Sequence, residues 1–208
     1  TAVMMIDNAA RVVAGETVVV HAAAGGVGTL AVQIARARGA RAIGTSSSDL
    51  KCRMIEELGA EAIDYSKTDW VREVLSLTDG RGAEVIFESV GGEVLARSYR
   101  EALADFGRLV VYGVASGDVM KFDNYEILAS NKSLVGFWLG PHLANHHDRV
   151  AIAKEHLVEM IQGKEIRLIV EKTFPLERVM DAFEHMQSRK SVGKVVVTAE
   201  LRKKVVPI

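Results

Sequence analysis

The most informative stretch of the chain is Thr17-Val18-Val19-Val20-His21-Ala22-Ala23-Ala24-Gly25-Gly26-Val27-Gly28. It opens with a run of β-branched residues that predicts a short, buried strand over residues 17–21. A glycine-rich turn follows, and the apolar residues after it are spaced as one face of a helix that ends near Gly39. The stretch therefore predicts a strand, a tight turn and a helix in immediate succession.

The same alternation of short apolar runs and helical patterns continues along the chain. Because the runs are almost continuously apolar, we expect a parallel sheet that is covered by helices on both faces. This pattern is typical of a Rossmann doubly wound α/β fold with six parallel strands in the order 3-2-1-4-5-6. The further strands are predicted at residues 41–45, 62–64, 83–88, 109–112 and 133–139, with helices at 48–58, 69–77 and 93–103.

The last third of the chain has a different pattern. It predicts a long amphipathic helix at residues 148–162, a short apolar segment at 168–170, a helix opened by Pro175 and a final strand at 194–198. No low-complexity linker separates these elements from the rest. We therefore expect a Rossmann domain over residues 1–165 and a C-terminal helix-strand extension over residues 166–208.

Composition limits the class of protein. The 208 residues include 26 basic and 27 acidic side chains, so the net charge of -1 gives no basic surface for a nucleic acid. Cys52 is the only cysteine, which excludes a disulfide within the chain, and we interpret it as a structural residue. The sequence shows no signal peptide and no apolar run of transmembrane length. We expect a cytoplasmic protein without a membrane partner.

The glycine turn is a candidate phosphate site. A strand that leads directly into a helix N-terminus presents backbone amides and a partial positive charge, which favour a pyrophosphate. Gly25 and Gly28 occupy the second and third positions of the G-x-G-x-x-G pattern, whereas Ala23 replaces its first glycine. Any tight turn can recruit glycines, but a position between a predicted strand and a predicted helix favours dinucleotide binding.

The end of the second strand indicates which dinucleotide binds, because an acidic residue there would bind the ribose of NAD and repel a 2′-phosphate. Here the strand ends in Thr45-Ser46-Ser47-Ser48, and Lys51 follows one helical turn later. Hydroxyls and an ammonium group favour the phosphate of NADPH. Asp49 is the alternative ribose ligand, although it is better interpreted as a first-turn helix residue. The alternative for Lys51 is a solvated helix face.

Several motifs carry a resemblance to a known family. They are His21-Ala22-Ala23-Ala24-Gly25-Gly26-Val27-Gly28, Leu58-Gly59-Ala60, Asp64-Tyr65, Glu88-Ser89-Val90-Gly91-Gly92, Gly107-Arg108-Leu109-Val110 and Gly193-Lys194-Val195-Val196-Val197. In these motifs the chain resembles the zinc-independent quinone oxidoreductase (zeta-crystallin-like) branch of the medium-chain dehydrogenase/reductase superfamily. Members carry a GroES-like catalytic domain to which nothing here corresponds. The resemblance therefore implies that the chain is the cofactor-binding portion of a longer protein.

The resemblance and the general rule for open sheets together define the candidate site. The resemblance implies a pyrophosphate at the glycine loop and a 2′-phosphate near Lys51 and Tyr65, although Tyr65 is equally compatible with a half-buried strand end. The nicotinamide is expected beside the switch point between strands one and four, where each residue also has a packing or turn explanation. The candidate cofactor-binding residues are Ala24, Gly25, Gly26, Val27, Gly28, Ser46, Ser47, Lys51, Tyr65, Ser89, Val90, Gly113, Val114, Phe137 and Leu139.

Three functions are compatible with these residues. The first is an NADPH-dependent reductase of quinones or other α,β-unsaturated carbonyls. The second is an NADPH-binding sensor or structural module without turnover, and the third is an enoyl-thioester reductase. Hydride transfer is the chemistry of the cofactor and requires no dedicated acid or base, so no catalytic residue is assigned. No tyrosine is followed four residues later by a lysine, which disfavours a short-chain dehydrogenase.

A histidine cluster in the second half of the chain is a possible metal site. His142 and His146 have the i to i+4 spacing of helical ligands, and His147 follows directly. Only Asp148 accompanies them as a further ligand type. We interpret the cluster as a solvated loop and expect no metal in this chain.

The predicted strand over residues 133–139 lies at the edge of the sheet and carries Phe137 and Trp138. An unpaired apolar edge strand can pair with a second chain. The resemblance implies a homodimer that forms through this edge, from Ser133 to Leu139.

Overall fold

The computed structural model describes residues 1–188 and 190–199. Its main sheet consists of β1 (Thr17–Val20), β2 (Arg41–Ser46), β3 (Glu61–Asp64), β4 (Ala83–Glu88), β5 (Leu103–Val111) and β6 (Ser133–Gly136). All neighbouring strands are parallel, and their order is β3-β2-β1-β4-β5-β6. The predicted Rossmann topology is confirmed.

Helices cover the sheet and extend beyond it. They are α1 (Ala2–Met4, continued by the π-helical segment Met5–Ala10), α2 (Gly28–Ala37), α3 (Asp49–Glu57), α4 (Trp70–Leu77), α5 (Gly92–Arg97, continued by the π-helical segment Ser98–Ala102), α6 (Asn124–Ser130), α7 (Leu139–Asn145), α8 (His147–Gln162) and α9 (Val179–Gln187). Strands β7 (Val170–Pro175) and β8 (Lys194–Thr198) form a second, two-stranded parallel sheet. Among the residues that the structure describes, no helix combines the length and the apolar character needed to span a bilayer.

Both faces of the main sheet are buried because neighbouring residues on a strand point to opposite sides. Val18 and Val20 pack into a cluster with residues of α1, α2 and α8, whereas Val19 packs into a second cluster with residues of α4 and α5. All three valines are completely buried. A strand that is buried on both faces is an uninterrupted apolar run in the sequence, and this explains why the runs predicted the sheet correctly.

Two predicted strand boundaries in the main sheet are wrong by several residues, and each error has a local cause. Strand β5 begins at Leu103, well before residue 109, because its first part pairs with β4 through an irregular register and exposes Phe106, which interrupts the apolar pattern. Strand β6 ends at Gly136, so Leu139 is not a strand residue but the first residue of α7. Pro141 lies in the first turn of that helix, where its missing amide proton is tolerated.

His142, His146 and His147 were predicted to lie in a solvated loop; His146 is exposed between α7 and α8, but the other two lie in helices. His142 lies within α7, where its ring stacks on Phe137 at a centroid distance of 5.3 Å. His147 is the first residue of α8. The helix expected to open at Pro175 begins instead at Val179, after a 3-10 turn over Leu176–Arg178.

The C-terminal extension contacts the glycine loop directly. The amide of Gly193 donates to the carbonyl of Ala24 (2.7 Å). The side chain of Gln33 on α2 accepts from the amide of Arg167 (2.9 Å) and donates to its carbonyl (3.1 Å). Residue 189 and residues 200–208, which belong to the predicted extension, lie outside the described residues.

A buried histidine joins three elements beneath the glycine loop. His21 directly follows β1, and its Nδ1 and Nε2 atoms each lie 2.9 Å from a hydroxyl oxygen, Thr45 Oγ1 and Ser98 Oγ respectively. Ser98 donates its own proton to the carbonyl of Val94, so its oxygen accepts from Nε2–H, and Thr45 donates to Nδ1. Burial lowers the pKa of His21 to about 4, and the ring therefore stays neutral.

This histidine makes stability depend on pH. Between pH 6.5 and about 4, His21 is protonated in the unfolded chain but stays neutral in the folded chain. The free energy of unfolding therefore falls as the pH is lowered through this range. We expect the loss to reach about 3 kcal/mol. In a His21→Gln variant this contribution is absent, so the difference in the free energy of unfolding between wild type and variant shrinks towards low pH. Urea unfolding across this pH range measures it.

The matched control is His147→Gln, because His147 is exposed. Its curve of unfolding free energy against pH should run parallel to that of the wild type. A His21→Gln curve that also runs parallel to the wild type would contradict the assignment of a neutral, buried imidazole.

Candidate functional site

The glycine loop is built so that α2 approaches the end of β1 very closely. A Cβ atom at Gly28 would lie 2.6 Å from the Cα atom and 2.7 Å from the carbonyl oxygen of Ala23, and closer still to the carbonyl oxygen of Ala22. These are backbone atoms and have no freedom to move aside. The loop is further closed by a hydrogen bond from the amide of Gly25 to the carbonyl of Ala22 (2.9 Å). Only glycine fits at position 28.

The alanine at the first position of the motif is accommodated by the neighbouring strand. Ala23 is fully buried, and its Cβ atom would lie 2.6 Å from a Cβ atom at Gly44 on β2. The missing side chain at Gly44 therefore provides the room that Ala23 needs. The departure from the motif is thus compatible with the same tight turn.

One cavity of 390 Å³ lies beside the loop at the ends of β1 and β2. Asp49, the alternative ribose ligand, does not line it, and its carboxylate pairs with Lys67. Tyr65 is half-exposed at the cavity wall, and Ser46 Oγ lies 3.2 Å from the buried Cys52 Sγ. The cavity is lined by Ala22, Ala24, Gly25, Ser46, Ser47, Lys51, Tyr65, Val90, Ala115, Ser116 and Ser191.

A second cavity of 520 Å³ lies at the ends of β4, β5 and β6. Ala115 lines both cavities, so they adjoin at this residue, and we call the two together the loop cleft. Trp138 stands at its rim with 76% of its surface exposed. The second cavity is lined by Thr1, Val27, Ser89, Tyr112, Gly113, Val114, Ala115, Phe137, Trp138 and Leu139.

Thirteen of the fifteen candidate residues line the loop cleft, and Gly26 and Gly28 do not. The absence of a side chain at Gly28 allows α2 to pack closely against the loop. Gly26 lies under the C-terminal extension, where a Cβ atom would be 3.3 Å from the Gly193 carbonyl oxygen and 3.4 Å from Lys194 Nζ. Sequence reasoning missed Lys194 as a neighbour of the loop, because only the folding of β8 onto the loop brings it there.

The floor of the second cavity is fixed by the loops after β4 and β5. Backbone amides of Tyr112, Ala115 and Ser116 donate to the carbonyls of residues 88, 89 and 90 at 2.8 to 2.9 Å. The Glu88 carboxylate is buried and accepts from the amides of Val90 (2.5 Å) and Gly91 (3.0 Å). Burial raises the pKa of Glu88, and these two amides oppose the rise.

The strand order and the glycine loop define a Rossmann-type α/β domain. A family model described as zinc-binding dehydrogenase matches residues 26–172. The chain belongs to this family, and within it to the quinone oxidoreductase branch of the medium-chain dehydrogenase/reductase superfamily.

Several individual proteins that are similar to this chain are named as quinone oxidoreductases. The chain is 34% identical over 203 residues to quinone oxidoreductase-like protein 2 of Rattus norvegicus, covering 95% of this chain and 57% of the relative. It is 37% identical over 187 residues to a quinone oxidoreductase of Pseudomonas aeruginosa, covering 88% of this chain and 56% of the relative. The structure of a Pseudomonas syringae quinone oxidoreductase is similar, with a TM-score of 0.87 and 31% identity. The match covers 94% of this chain and 60% of that one. The chain thus spans less than two thirds of these relatives.

A mycobacterial protein solved in complex with NADPH is also similar, with a TM-score of 0.86 and 30% identity over 94% of this chain and 60% of that one. The name of the family refers to zinc. Within residues 1–188 and 190–199, no three histidine, cysteine or acidic side chains are grouped so that they could hold a metal ion. The described residues therefore do not fit a zinc site.

The tight approach at Gly28 has a measurable consequence. A Gly28→Ala variant should be less stable than the wild type by about 1 to 3 kcal/mol, because the added methyl group meets backbone atoms of the loop. The urea midpoint of unfolding measures the change. Gly136→Ala is the control, because a Cβ atom there has no neighbour within 4 Å. Equal stability of the two variants would contradict the close packing of α2 on the loop.

Proposed function

We propose that the chain binds NADPH in the loop cleft and is the cofactor-binding part of an oxidoreductase that reduces a quinone or another α,β-unsaturated carbonyl. When bound, NADPH supplies the hydride for this reaction. The observation that carries the proposal is the shape of the cleft. It runs from hydroxyl and ammonium groups at one end, past the glycine loop, to an apolar pocket at the other end.

The glycine loop fits a pyrophosphate. The backbone of residues 24–28 lies at the start of α2, where amides and the helix dipole favour an anion, and glycine at positions 25 and 26 allows close approach. Lys194 adds an ammonium group over Gly26. We assign Lys194 to the pyrophosphate together with Ala24, Gly25, Gly26, Val27 and Gly28.

The end of the cleft near β2 fits the adenosine 2′-phosphate. Ser46, Ser47 and Lys51 line one wall, and Tyr65 lines the wall beside it. Among the described residues no acidic side chain lines this cavity, and Asp49 pairs instead with Lys67, so no carboxylate of the lining would repel a phosphate. This arrangement favours the binding of NADPH over the binding of NADH.

The other end of the cleft fits the nicotinamide. Its walls are formed by Val114, Phe137 and Leu139, and Ser89 and Gly113 line the same cavity, whereas Val90 lines the other one. Apolar walls would exclude water from a ring bound there. Residues 1–165 would then form the cofactor domain, and residues 166–208 the segment that leads towards a catalytic domain.

The class of acceptor is indicated by two similar proteins. Similar proteins include a 2-haloacrylate reductase of Burkholderia and the structure of CurK enoyl reductase, at 31% and 30% identity. These names favour reduction of a double bond conjugated to a carbonyl, with an enoyl thioester as the second candidate. Turnover of NADPH by the longer protein against a panel of quinones, enones and enoyl thioesters separates the two, and no turnover with any of them would favour a sensor.

Selectivity for NADPH is tested on this chain by calorimetric titration. We expect NADPH to bind more than about tenfold more tightly than NADH, a difference of roughly 1.4 kcal/mol. Lys51→Met should remove most of this preference by weakening NADPH alone. Lys194→Met should weaken both cofactors equally, because both carry a pyrophosphate.

The matched control is Arg53→Met, which removes an exposed cation from the same helix outside the cleft. It should leave both affinities unchanged. Equal affinity of the wild type for NADPH and NADH, or a preference for NADH, would contradict the phosphate site. Failure to bind either cofactor would contradict the proposal as a whole.

We also propose that two copies of the chain pair through β6. Within the described residues, β6 has β5 as its only neighbouring strand, and its Leu134 is exposed. Sedimentation equilibrium at micromolar concentration should give the mass of a dimer, and Leu134→Lys should shift it towards a monomer. A monomeric wild type would overturn this part of the proposal.

A further inference from the structure

Two residues that carry hydroxyl groups line the apolar half of the loop cleft. Tyr112 follows β5 and Ser89 follows β4, and both residues line the 520 Å³ cavity. Burial raises the pKa of Tyr112, and a hydrogen bond with the Ser89 side chain opposes the rise. The large side chains around them are apolar, namely Val27, Val114, Phe137, Trp138 and Leu139.

The pair is held in place by the two loops that carry it. Tyr112 donates its amide proton to the Glu88 carbonyl (2.9 Å), and Ala115 donates to the Ser89 carbonyl (2.9 Å). A Cβ atom at Gly113 would lie 3.0 Å from the Ser89 carbonyl oxygen, so the loops touch at this point. The backbone of both residues is therefore held in place before any ligand enters, which favours a specific contact.

The ligand that fits such a pocket is a flat, mostly apolar ring with one polar substituent. Flat apolar walls contact the ring, and a single polar group fixes its orientation. Val27 at the start of α2 and Ala115 connect the pocket to the glycine loop. A ring that is joined to a pyrophosphate on that loop would therefore reach the hydroxyl pair.

We propose that Tyr112 and Ser89 anchor the carboxamide of the nicotinamide, with the phenol hydroxyl of Tyr112 donating to the carboxamide oxygen. Ser89 donates to the phenol oxygen and orients it. The inference rests on the proposed binding of NADPH and adds a positioning residue that fixes which face of the ring is turned towards the acceptor. Burial raises the pKa of Tyr112, so the phenol keeps its proton and remains a donor.

The test compares two ligands on one variant. Tyr112→Phe keeps the aromatic ring and removes the hydroxyl. We expect it to weaken binding of NADPH by about five- to tenfold, the effect of one lost hydrogen bond. It should leave the affinity for 2′,5′-ADP unchanged, because this ligand carries the adenosine half without a nicotinamide. Calorimetry on the intact chain measures both.

Two further variants make the result specific. Ser89→Ala should weaken NADPH binding in the same direction, and adding it to Tyr112→Phe should cause little further loss, because the two hydroxyls act as one unit. Tyr125→Phe, on an exposed tyrosine of α6, should change neither affinity.

The outcomes separate this inference from the function on which it rests. If the wild type binds NADPH and Tyr112→Phe binds it equally well, the hydroxyl anchor is wrong and the cofactor site stands. Loss of affinity for both NADPH and 2′,5′-ADP in Tyr112→Phe would mean that the variant distorts the loops, and would also overturn the anchor. If the wild type binds neither ligand, both proposals fail.

Discussion

The close approach of α2 to the end of β1 is the constraint on which the rest of the structure depends. Gly28 has no room for a side chain, because the backbone of the loop occupies the space that a Cβ atom would need. The approach places the start of a helix directly against the turn that follows the central strand. Backbone amides and the helix dipole then point to one place at the edge of the sheet, and the loop cleft forms around it.

Three other features maintain this arrangement. Gly44 on β2 provides the space for Ala23, so an alanine is compatible with a turn that is usually made by glycine. His21 holds the ends of β1, β2 and α5 together through hydrogen bonds to Thr45 and Ser98. The extension closes over the loop through the hydrogen bond of Gly193 to Ala24. Each of these contacts joins segments that are distant in sequence at the same edge of the sheet.

The sequence predicted the sheet order and most of the cleft, because both depend on local patterns. A strand buried on both faces is visible as an apolar run, and the glycine loop is visible as a motif. The end of β6 was missed because residues 137–139 remain apolar after the strand has turned into α7. Tyr112, which lines the cleft, and Lys194, which lies beside Gly26, were missed because their places arise from tertiary contacts, which no spacing in the sequence records.

We propose that one dinucleotide occupies the whole loop cleft, from Lys51 to Tyr112. Amide hydrogen exchange of the chain with NADPH and with 2′,5′-ADP tests it most directly. Our account predicts that 2′,5′-ADP protects the segments around residues 22–28 and 46–51, and that NADPH additionally protects residues 112–116. Protection by NADPH that is confined to the first two segments, or that lies outside the cleft, would contradict the account.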